Sequence, residues 1–217
     1  MTYPNNKPLR LLLAGATGAV GNQVLALALA DPRIEQVIAP TRRPLTNHAK
    51  LYNPVIDFAH LPVEAPWWNV DAVICTLGTT IKVAGSQAAF AAVDRDLPIQ
   101  VARLARAAGA TRFALNSSLG ANPAGNFYLR TKAEAEAGIR NLNYPIFTIV
   151  RPSLIDTARE ESRPGERIGL IIARIFRPLI PYRYRAVKAE HIALALLNGV
   201  LRDQSGECII ESEQLQE

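Results

Sequence analysis

A glycine-rich turn near the start of the chain constrains its fold more than any other sequence feature. The apolar run Leu9–Ala14 has the composition of a buried strand, and Ala19–Ala30 has that of a helix. Gly15 permits a tight turn, Gly18 lets the backbone approach a diphosphate, and Gly21 lets the helix pack closely on the strand. The unpaired N–H groups at the helix start would face that anion. We therefore predict a dinucleotide-binding turn lined by Gly15, Ala16, Thr17, Gly18, Ala19 and Val20.

Short apolar segments alternate with longer helical ones along the chain, which is typical of a parallel α/β sheet. The predicted strands are 9–14, 36–40, 55–58, 72–77, 112–116, 146–151 and 208–211. The predicted helices are 19–30, 87–108, 129–141, 166–177 and 189–201. We expect a Rossmann-type, doubly wound, mostly parallel sheet in a single NAD(P)-binding domain over residues 1–217. Within it, residues 152–217 would contribute a small C-terminal capping region.

Composition limits the surroundings and partners of the chain. Hydrophobic residues make up 49% of it, which is enough for a core without disulfides or metals. Cys75 and Cys208 are far apart and lack metal-ligand spacing, so no metal site is expected. The net charge of +5 comes without a long Lys/Arg block, so nucleic-acid binding is not expected either. Since no apolar run approaches the ~20 residues of a spanning helix, we expect a cytoplasmic protein without membrane contact.

The end of the second predicted strand indicates which coenzyme the turn would hold. Proteins that bind NAD usually place Asp or Glu there for the adenosine ribose, whereas this chain has Thr41, Arg42 and Arg43. A guanidinium suits a 2′-phosphate, so NADPH is favoured and NAD stays possible; both arginines could also be ordinary solvated charges. Asp57, after the third strand, could face the adenine or cap a turn. The loop after the fourth strand adds Leu77, Gly78 and Thr79 to the predicted coenzyme-binding residues.

A tyrosine and a lysine with helical spacing form the second informative group. Tyr128 and Lys132 share one helix face, because residues four apart are neighbours there. A phenol with a pKa near ~10 is a poor acid–base catalyst at neutral pH, and a nearby ammonium favours its ionised form. Ser117 and Ser118, at a strand end, could donate a hydrogen bond to a substrate carbonyl oxygen. We predict Tyr128, Lys132, Ser118 and Ser117 as catalytic residues, with Ser118 preferred over Ser117.

The same tyrosine–lysine spacing occurs a second time in the chain. Tyr184 and Lys188 lie beyond the sixth predicted strand, where no coenzyme edge is expected. We interpret this second copy as a coincidence, and it shows that the spacing alone is a weak signal.

With these motifs placed, the chain resembles the short-chain dehydrogenase/reductase superfamily along nearly its whole length. Arg151 and Pro152 resemble a loop that usually approaches the nicotinamide amide in the extended and atypical branches. Residues 77–80, 93–96, 117–121 and 161–166 resemble the small oxidoreductases related to Tat-interacting protein. The resemblance implies a Rossmann core, NADPH, and Tyr128 and Lys132 as active-site residues, but it supplies no substrate. The gap from Ser118 to Tyr128 is short beside typical extended members.

Three functions fit these motifs. The favoured one is an NADPH-dependent oxidoreductase that reduces a carbonyl-type small molecule, with Tyr128 donating the proton. A regulatory or redox-sensing protein that binds NADPH with little or no turnover is the alternative, motivated by the small capping region. A nucleotide-sugar epimerase or dehydratase is less favoured, because such enzymes generally keep NAD bound and carry a larger C-terminal lobe. The chain could be a monomer or a homodimer.

Overall fold

A seven-stranded sheet organises the computed structural model, which describes residues 7–156 and 181–216. The strands are β1 Leu9–Ala14, β2 Ile34–Ile38, β3 Leu51–Tyr52, β4 Ala72–Cys75, β5 Arg112–Asn116, β6 Ile146–Arg151, β7 Ile155–Asp156, β8 Val187–Lys188 and β9 Gly206–Glu211. The sheet order is β3-β2-β1-β4-β5-β6-β9, and each of these pairings is parallel. The order changes direction between β1 and β4, as in a doubly wound Rossmann sheet, which confirms the predicted fold class.

Helices cover both faces of the sheet. They are α1 Ala19–Ala30, α2 Ile81–Ala84, α3 Gln87–Ala91, α4 Leu97–Ala107, α5 Phe127–Arg140 and α6 Ala189–Leu201. Side chains alternate along each strand, so Leu11 and Leu13 of β1 pack with α1 and α6 on one face. Leu12 and Ala14 pack on the other face, in the layer that contains α4 and α5. Burial on both faces explains the nearly continuous apolar runs in the strands.

The longest predicted helix, 87–108, is interrupted in the structure. After α3, the backbone forms a π-helical segment, Ala92–Asp96, before α4 begins. Pro98 lies in the first turn of α4, and it has no N–H to donate to the carbonyl of Asp94 four residues earlier. A missing bond of this kind favours a local change of helical hydrogen bonding, and the result here is a turn that buries the Asp94 side chain.

The third strand is the clearest difference from the predicted elements. We expected it to begin at Val55, but β3 lies earlier, and Val55 forms only an isolated bridge with Thr41. Pro54 cannot donate to a ladder, and the Asn53 side chain donates to Thr41 Oγ1 at 2.8 Å in place of a backbone group. The remaining predicted strands match the observed ones within two residues at each end.

The described part of residues 152–217 contributes to the main layers as well as to the edge of the sheet. α6 packs against α1, and β9 extends the sheet beside β6. Arg112 donates to the carbonyls of Val200 and Arg202 at 2.9 and 2.7 Å, at the end of α6 where the helix dipole favours a cation. β7 and β8 pair in parallel beyond the end of β6. The predicted helix 166–177 lies outside the described residues.

Candidate functional site

The carboxyl ends of the parallel strands bring the predicted site residues to one edge of the sheet. β1 leads into the turn at Gly15, β2 leads to Thr41, and β4 leads into residues 76–80. β5 ends next to Ser117, and β6 ends next to Pro152. In open α/β sheets, ligands bind at this edge where the strand order changes direction, which in this sheet is between β1 and β4.

The glycine turn packs tightly against the loop that follows β4. Gly15 has a φ of 94°, in the left-handed region that favours glycine. A Cβ on Gly15 would lie 2.7 Å from Thr76 Oγ1, and a Cβ on Gly21 would lie 2.0 Å from the Gly15 carbonyl oxygen. The Thr76 hydroxyl also donates to the Ala14 carbonyl at 3.1 Å. Packing therefore requires glycine at both positions.

Gly18, in contrast, leaves open space at the start of α1. A Cβ added there would meet only the Gly15 carbonyl oxygen, at 3.4 Å. Gly18 is the N-cap residue directly before α1, and no described side chain caps the N–H groups of the first turn. An open approach to uncapped N–H groups suits a phosphate, so the turn fits the predicted dinucleotide.

Arg42 and Arg43 lie exposed beyond β2. Thr41 is buried, and its hydroxyl donates to the Arg43 carbonyl at 2.6 Å, which fixes the turn that carries the two arginines. Neither guanidinium forms an ion pair within residues 7–156 and 181–216. Both are therefore available to an anion at the outer edge of the site.

Asp57 caps a turn, which is one of the two roles considered for it. Its carboxylate contacts His60 Nδ1 at 2.9 Å and accepts a hydrogen bond from the Ala59 N–H at 2.9 Å. The bond with His60, and then that with Ala59, holds the pKa of the Asp57 carboxyl below its usual value. Its contact with an adenine stays a prediction.

Lys132 lies in a buried ion pair that the sequence did not predict. Its Nζ is 2.6 Å from Asp94 Oδ1, and the two side chains are 9% and 1% exposed. Asp94 Oδ2 accepts a hydrogen bond from the Thr79 N–H at 2.8 Å. Gly78 passes beside the pair, because a Cβ there would lie 3.3 Å from Asp94 Oδ1 and 3.7 Å from Lys132 Nζ. The ammonium thus lies against the loop that we expect to contact the coenzyme.

Tyr128 lies in the first turn of α5, one helical turn before Lys132. The side chain of Asn126 accepts the Leu129 N–H at 3.0 Å, and this cap starts the helix two residues earlier than predicted. The Tyr128 ring is half-buried and packs on Phe90 of α3, with ring centroids 5.5 Å apart. The phenol therefore has a fixed place between α5 and α3.

The two serines after β5 have different surroundings. Ser117 is buried, and its hydroxyl donates to Glu136 Oε1 at 2.5 Å. Ser118 is half-buried, and among the described residues its hydroxyl makes only a long contact of 3.5 Å with the Leu119 carbonyl. Of the two, Ser118 has the hydroxyl that is available to a substrate.

Arg151 belongs to a second buried cluster. Its guanidinium donates to both oxygens of Glu136, at 3.0 and 2.6 Å, and to Glu211 Oε1 at 3.0 Å. Hydrogen bonding to Glu136 is the largest cause that raises the pKa of Arg151 above its ordinary value. Since this side chain is bound within the protein, the predicted contact with a nicotinamide amide would fall to the backbone of Arg151 and Pro152.

Cys75, the last residue of β4, lies close enough to Lys132 and Asp94 for their charges to affect the pKa of its thiol. Burial is the main cause that raises the pKa of its thiol to about 12. The nearby charge of Lys132 acts in the opposite direction and that of Asp94 in the same one. The thiol thus behaves as a small apolar group.

Residues 7–156 and 181–216 contain neither a cluster of metal-binding side chains nor a helix that could span a membrane. No three His, Cys, Asp or Glu side chains come together there as a metal site would require. In the same ranges, no helix combines the length and the apolar character needed to cross a bilayer.

The sequence motifs do not point to three residues of this region, Glu136, Asp94 and Thr76. Glu136 follows Lys132 at four residues, the spacing that also defines the tyrosine–lysine pair, so its place on the same face could have been inferred. Pro98 signals an irregular turn at Asp94, although it does not identify Lys132 as the partner. For Thr76, we find no sequence signal beyond its place at a strand end.

Comparison with known proteins identifies the family. Residues 15–168 match the family described as NAD(P)H-binding. Protein HTATIP2 of Rattus norvegicus is 34% identical over 206 residues, which cover 91% of this chain and 83% of that protein. The mitochondrial protein fmp52 of Emericella nidulans is 31% identical over 220 residues, covering 94% of this chain and 92% of that protein.

Solved structures share the fold at low sequence identity. MoeE5 in complex with UDP-glucose and NAD has a TM-score of 0.70 and 15% identity, over 95% of this chain and 79% of that one. The oxidoreductase ylbE from Lactococcus lactis has a TM-score of 0.63 and 17% identity, over 95% of both chains. Sequence match, strand order and glycine turn agree: the chain belongs to the NAD(P)H-binding family, is homologous to HTATIP2 and FMP52, and has the fold of short-chain dehydrogenase/reductase-type oxidoreductases.

Proposed function

We propose that the protein is an NADPH-dependent oxidoreductase that reduces a carbonyl group of a small molecule. The observation that carries the proposal is the buried ammonium of Lys132. It lies against the Gly78 loop and one helical turn from Tyr128, at the sheet edge that also holds the glycine turn. A buried ammonium beside a phenol provides acid–base chemistry, which coenzyme binding alone does not require.

In this proposal, the described residues would bind the diphosphate, the 2′-phosphate and the nicotinamide ribose of the coenzyme. The N–H groups after Gly18 would bind the diphosphate, and Arg42 and Arg43 would bind the 2′-phosphate. Residues 77–79 and Lys132 would line the nicotinamide ribose. Bound in this way, NADPH supplies a hydride for the carbonyl carbon.

The protein itself would provide the proton for the carbonyl oxygen. The O–H bond of Tyr128 breaks as the O–H bond of the product alcohol forms, which leaves a phenolate. Lys132 stabilises that phenolate through its positive charge. Ser118 donates a hydrogen bond to the substrate oxygen as negative charge develops on it.

Replacing Tyr128 tests the proposed proton donor. In Tyr128→Phe, we expect NADPH-dependent turnover to fall by about 100-fold or more, because the aromatic ring stays but the proton is lost. NADPH affinity should be retained, as measured by calorimetry. The assay follows NADPH absorbance with a panel of aldehydes, ketones and quinones.

The chain offers a matched control for this experiment. Tyr184 is 60% exposed and has the same spacing to Lys188, so Tyr184→Phe should keep wild-type turnover. Full turnover in Tyr128→Phe would contradict the assigned role.

In the wild type, tighter binding of NADPH than of NADH is expected from the two exposed arginines, Arg42 and Arg43. NADPH binding with no turnover would favour the regulatory alternative, and tightly retained NAD would favour an epimerase.

We also propose that the protein acts on a small-molecule substrate in the cytoplasm, as a monomer or a homodimer. The fungal relative fmp52 carries a mitochondrial location in its name, so location in the cell has to be measured separately. Fractionation of tagged cells tests the location, and size-exclusion chromatography with light scattering tests the oligomeric state.

A further inference from the structure

We propose that Asp94 is a positioning residue for Lys132, and that its carboxylate both ties the ammonium to the Gly78 loop and offsets part of the ammonium's charge at Tyr128. This inference rests on the proposed function, because the charge at Tyr128 matters to a reaction only if Tyr128 is the proton donor. Asp94 lies in the π-helical segment Ala92–Asp96, an irregular part of the helix layer.

The two oxygens of Asp94 hold different parts of the site. Oδ1 is 2.6 Å from Lys132 Nζ, and Oδ2 accepts the Thr79 N–H at 2.8 Å. Gly78 packs tightly against the carboxylate between these contacts, since a Cβ on Gly78 would lie 3.3 Å from Asp94 Oδ1. The carboxylate therefore links the start of α5 to the loop after β4, and moving either one disturbs the other.

The π-helical segment explains how a carboxylate comes to lie here. A π turn has more residues per turn than an α-helix, so it changes which side chains face the core. The Asp94 side chain is 1% exposed, whereas its neighbours Arg95 and Asp96 pair with each other at the surface, at 2.7 Å. Burial of an unpaired carboxylate is costly, so the ion pair with Lys132 is needed to keep Asp94 there.

Charge is the second part of the proposal. The titratable or charged groups nearest Lys132 on the elements packed around it are Asp94 on the π-helical segment, Cys75 on β4, Tyr128 and Glu136 on α5, and Arg151 on β6. The other charged groups of the π-helical segment and α5 form ion pairs closer to the surface, namely Arg95, Asp96, Arg130 and Glu134 with one another and Arg140 with Glu207. Glu136 is already paired with Arg151, and the Cys75 thiol stays protonated at neutral pH because burial raises its pKa to about 12. Asp94 is then the carboxylate that counters the ammonium of Lys132.

Removing the charge of Asp94 tests this role. Asp94→Asn keeps an oxygen acceptor for Thr79 and loses the negative charge, so the phenolate of Tyr128 should form more readily. We expect the midpoint of phenolate absorbance to move to lower pH by about 0.5 to 1 unit. The signal is isolated as the difference between each protein and the same protein carrying Tyr128→Phe. The titration needs neither coenzyme nor substrate.

Three further variants complete the experiment. Asp94→Ser removes the same charge with a smaller side chain, so it gives the result if Asp94→Asn does not fold. Asp94→Glu restores a carboxylate and should bring the midpoint back toward the wild-type value. Asp96→Asn removes an exposed carboxylate of the same segment and should leave the midpoint unchanged.

The outcomes separate this inference from the proposed function. A midpoint that stays in place or rises in the charge-removing variants overturns the inference, even if the wild type is an active reductase. A midpoint that falls supports it, even if no substrate is turned over. Where turnover is measurable, the high-pH limb of the reductase profile should fall with the phenolate midpoint, because reduction needs the protonated phenol.

Discussion

Two buried ion pairs lie one helical turn apart on α5, and they differ in how fully the protein satisfies them. Both oxygens of Glu136 accept hydrogen bonds from Arg151, and one also accepts from Ser117. Lys132, in contrast, has one close carboxylate contact among the described residues, with Asp94. The Glu136 pair is closed by protein groups, whereas the ammonium of Lys132 keeps donors that have no partner within residues 7–156 and 181–216.

The difference separates a structural role from a role in binding. A buried carboxylate whose two oxygens both accept hydrogen bonds from the protein holds strand and helix together, and it has little capacity left for a ligand. An ammonium with unused donors beside an exposed glycine can bind a hydroxyl of an incoming molecule. Position on α5 separates the two, since Lys132 lies against the Gly78 loop and Glu136, one turn later, lies against Ser117 and Arg151.

The largest effect on stability is expected at the Glu136–Arg151 pair. Glu136→Gln should lower the free energy of unfolding by about 3 kcal/mol, because the half-buried Arg151 loses its principal counter-charge. The matched control is Glu207→Gln, at an exposed pair whose oxygen is 2.7 Å from Arg140, where a loss below about 1 kcal/mol is expected. Urea unfolding measures both. Equal losses in the two variants would show that the Glu136 cluster has no special structural role.

The two neighbouring serines provide an intermediate effect. Ser117→Ala removes a hydrogen bond to a buried carboxylate and should cost about 2 kcal/mol of stability while turnover is retained. Ser118→Ala should leave stability nearly unchanged and lower turnover by about 100-fold, as for loss of an oxyanion donor. Unfolding and NADPH-oxidation assays on the same preparations compare them. A loss of turnover confined to Ser117→Ala would reverse the assignment of the two serines.

The smallest effect concerns the thiol of Cys75, near the Lys132–Asp94 pair. Because burial raises the pKa of Cys75 to about 12, we expect iodoacetamide at mildly alkaline pH to label Cys208 and to spare Cys75 until the protein unfolds. Mass spectrometry of the labelled peptides measures the two rates. Rapid labelling of Cys75 in the folded protein would mean that the reagent reaches the end of β4 beside the Lys132–Asp94 pair.

Local sequence signals predicted the features that depend on neighbouring residues. The glycine turn, most strand positions and the tyrosine–lysine pair each rest on residues within about one turn or one strand. The Gly21 contact with the Gly15 carbonyl is a direct case, because both residues belong to one motif. The NAD(P)H-binding class and the doubly wound, mostly parallel sheet followed from the same signals.

The features that were missed depend on partners far along the chain. Asp94 pairs with Lys132 and Ser117 pairs with Glu136 only because the sheet brings different loops and helices together. The shift of β3 came from a side chain, Asn53, that takes over hydrogen bonds usually made by the backbone. Propensity and spacing carry no information about such contacts.

The packing of α1 against α6 has a consequence for how the chain is made on the ribosome. α1 belongs to the first βα unit, but the helix that covers its apolar face begins only at Ala189. The outer edge of β6 pairs with β9, which is likewise made later in synthesis. During synthesis, the apolar face of α1 and the outer edge of β6 therefore stay uncovered until residues 189–211 have emerged, and exposed surfaces of this kind favour binding by chaperones.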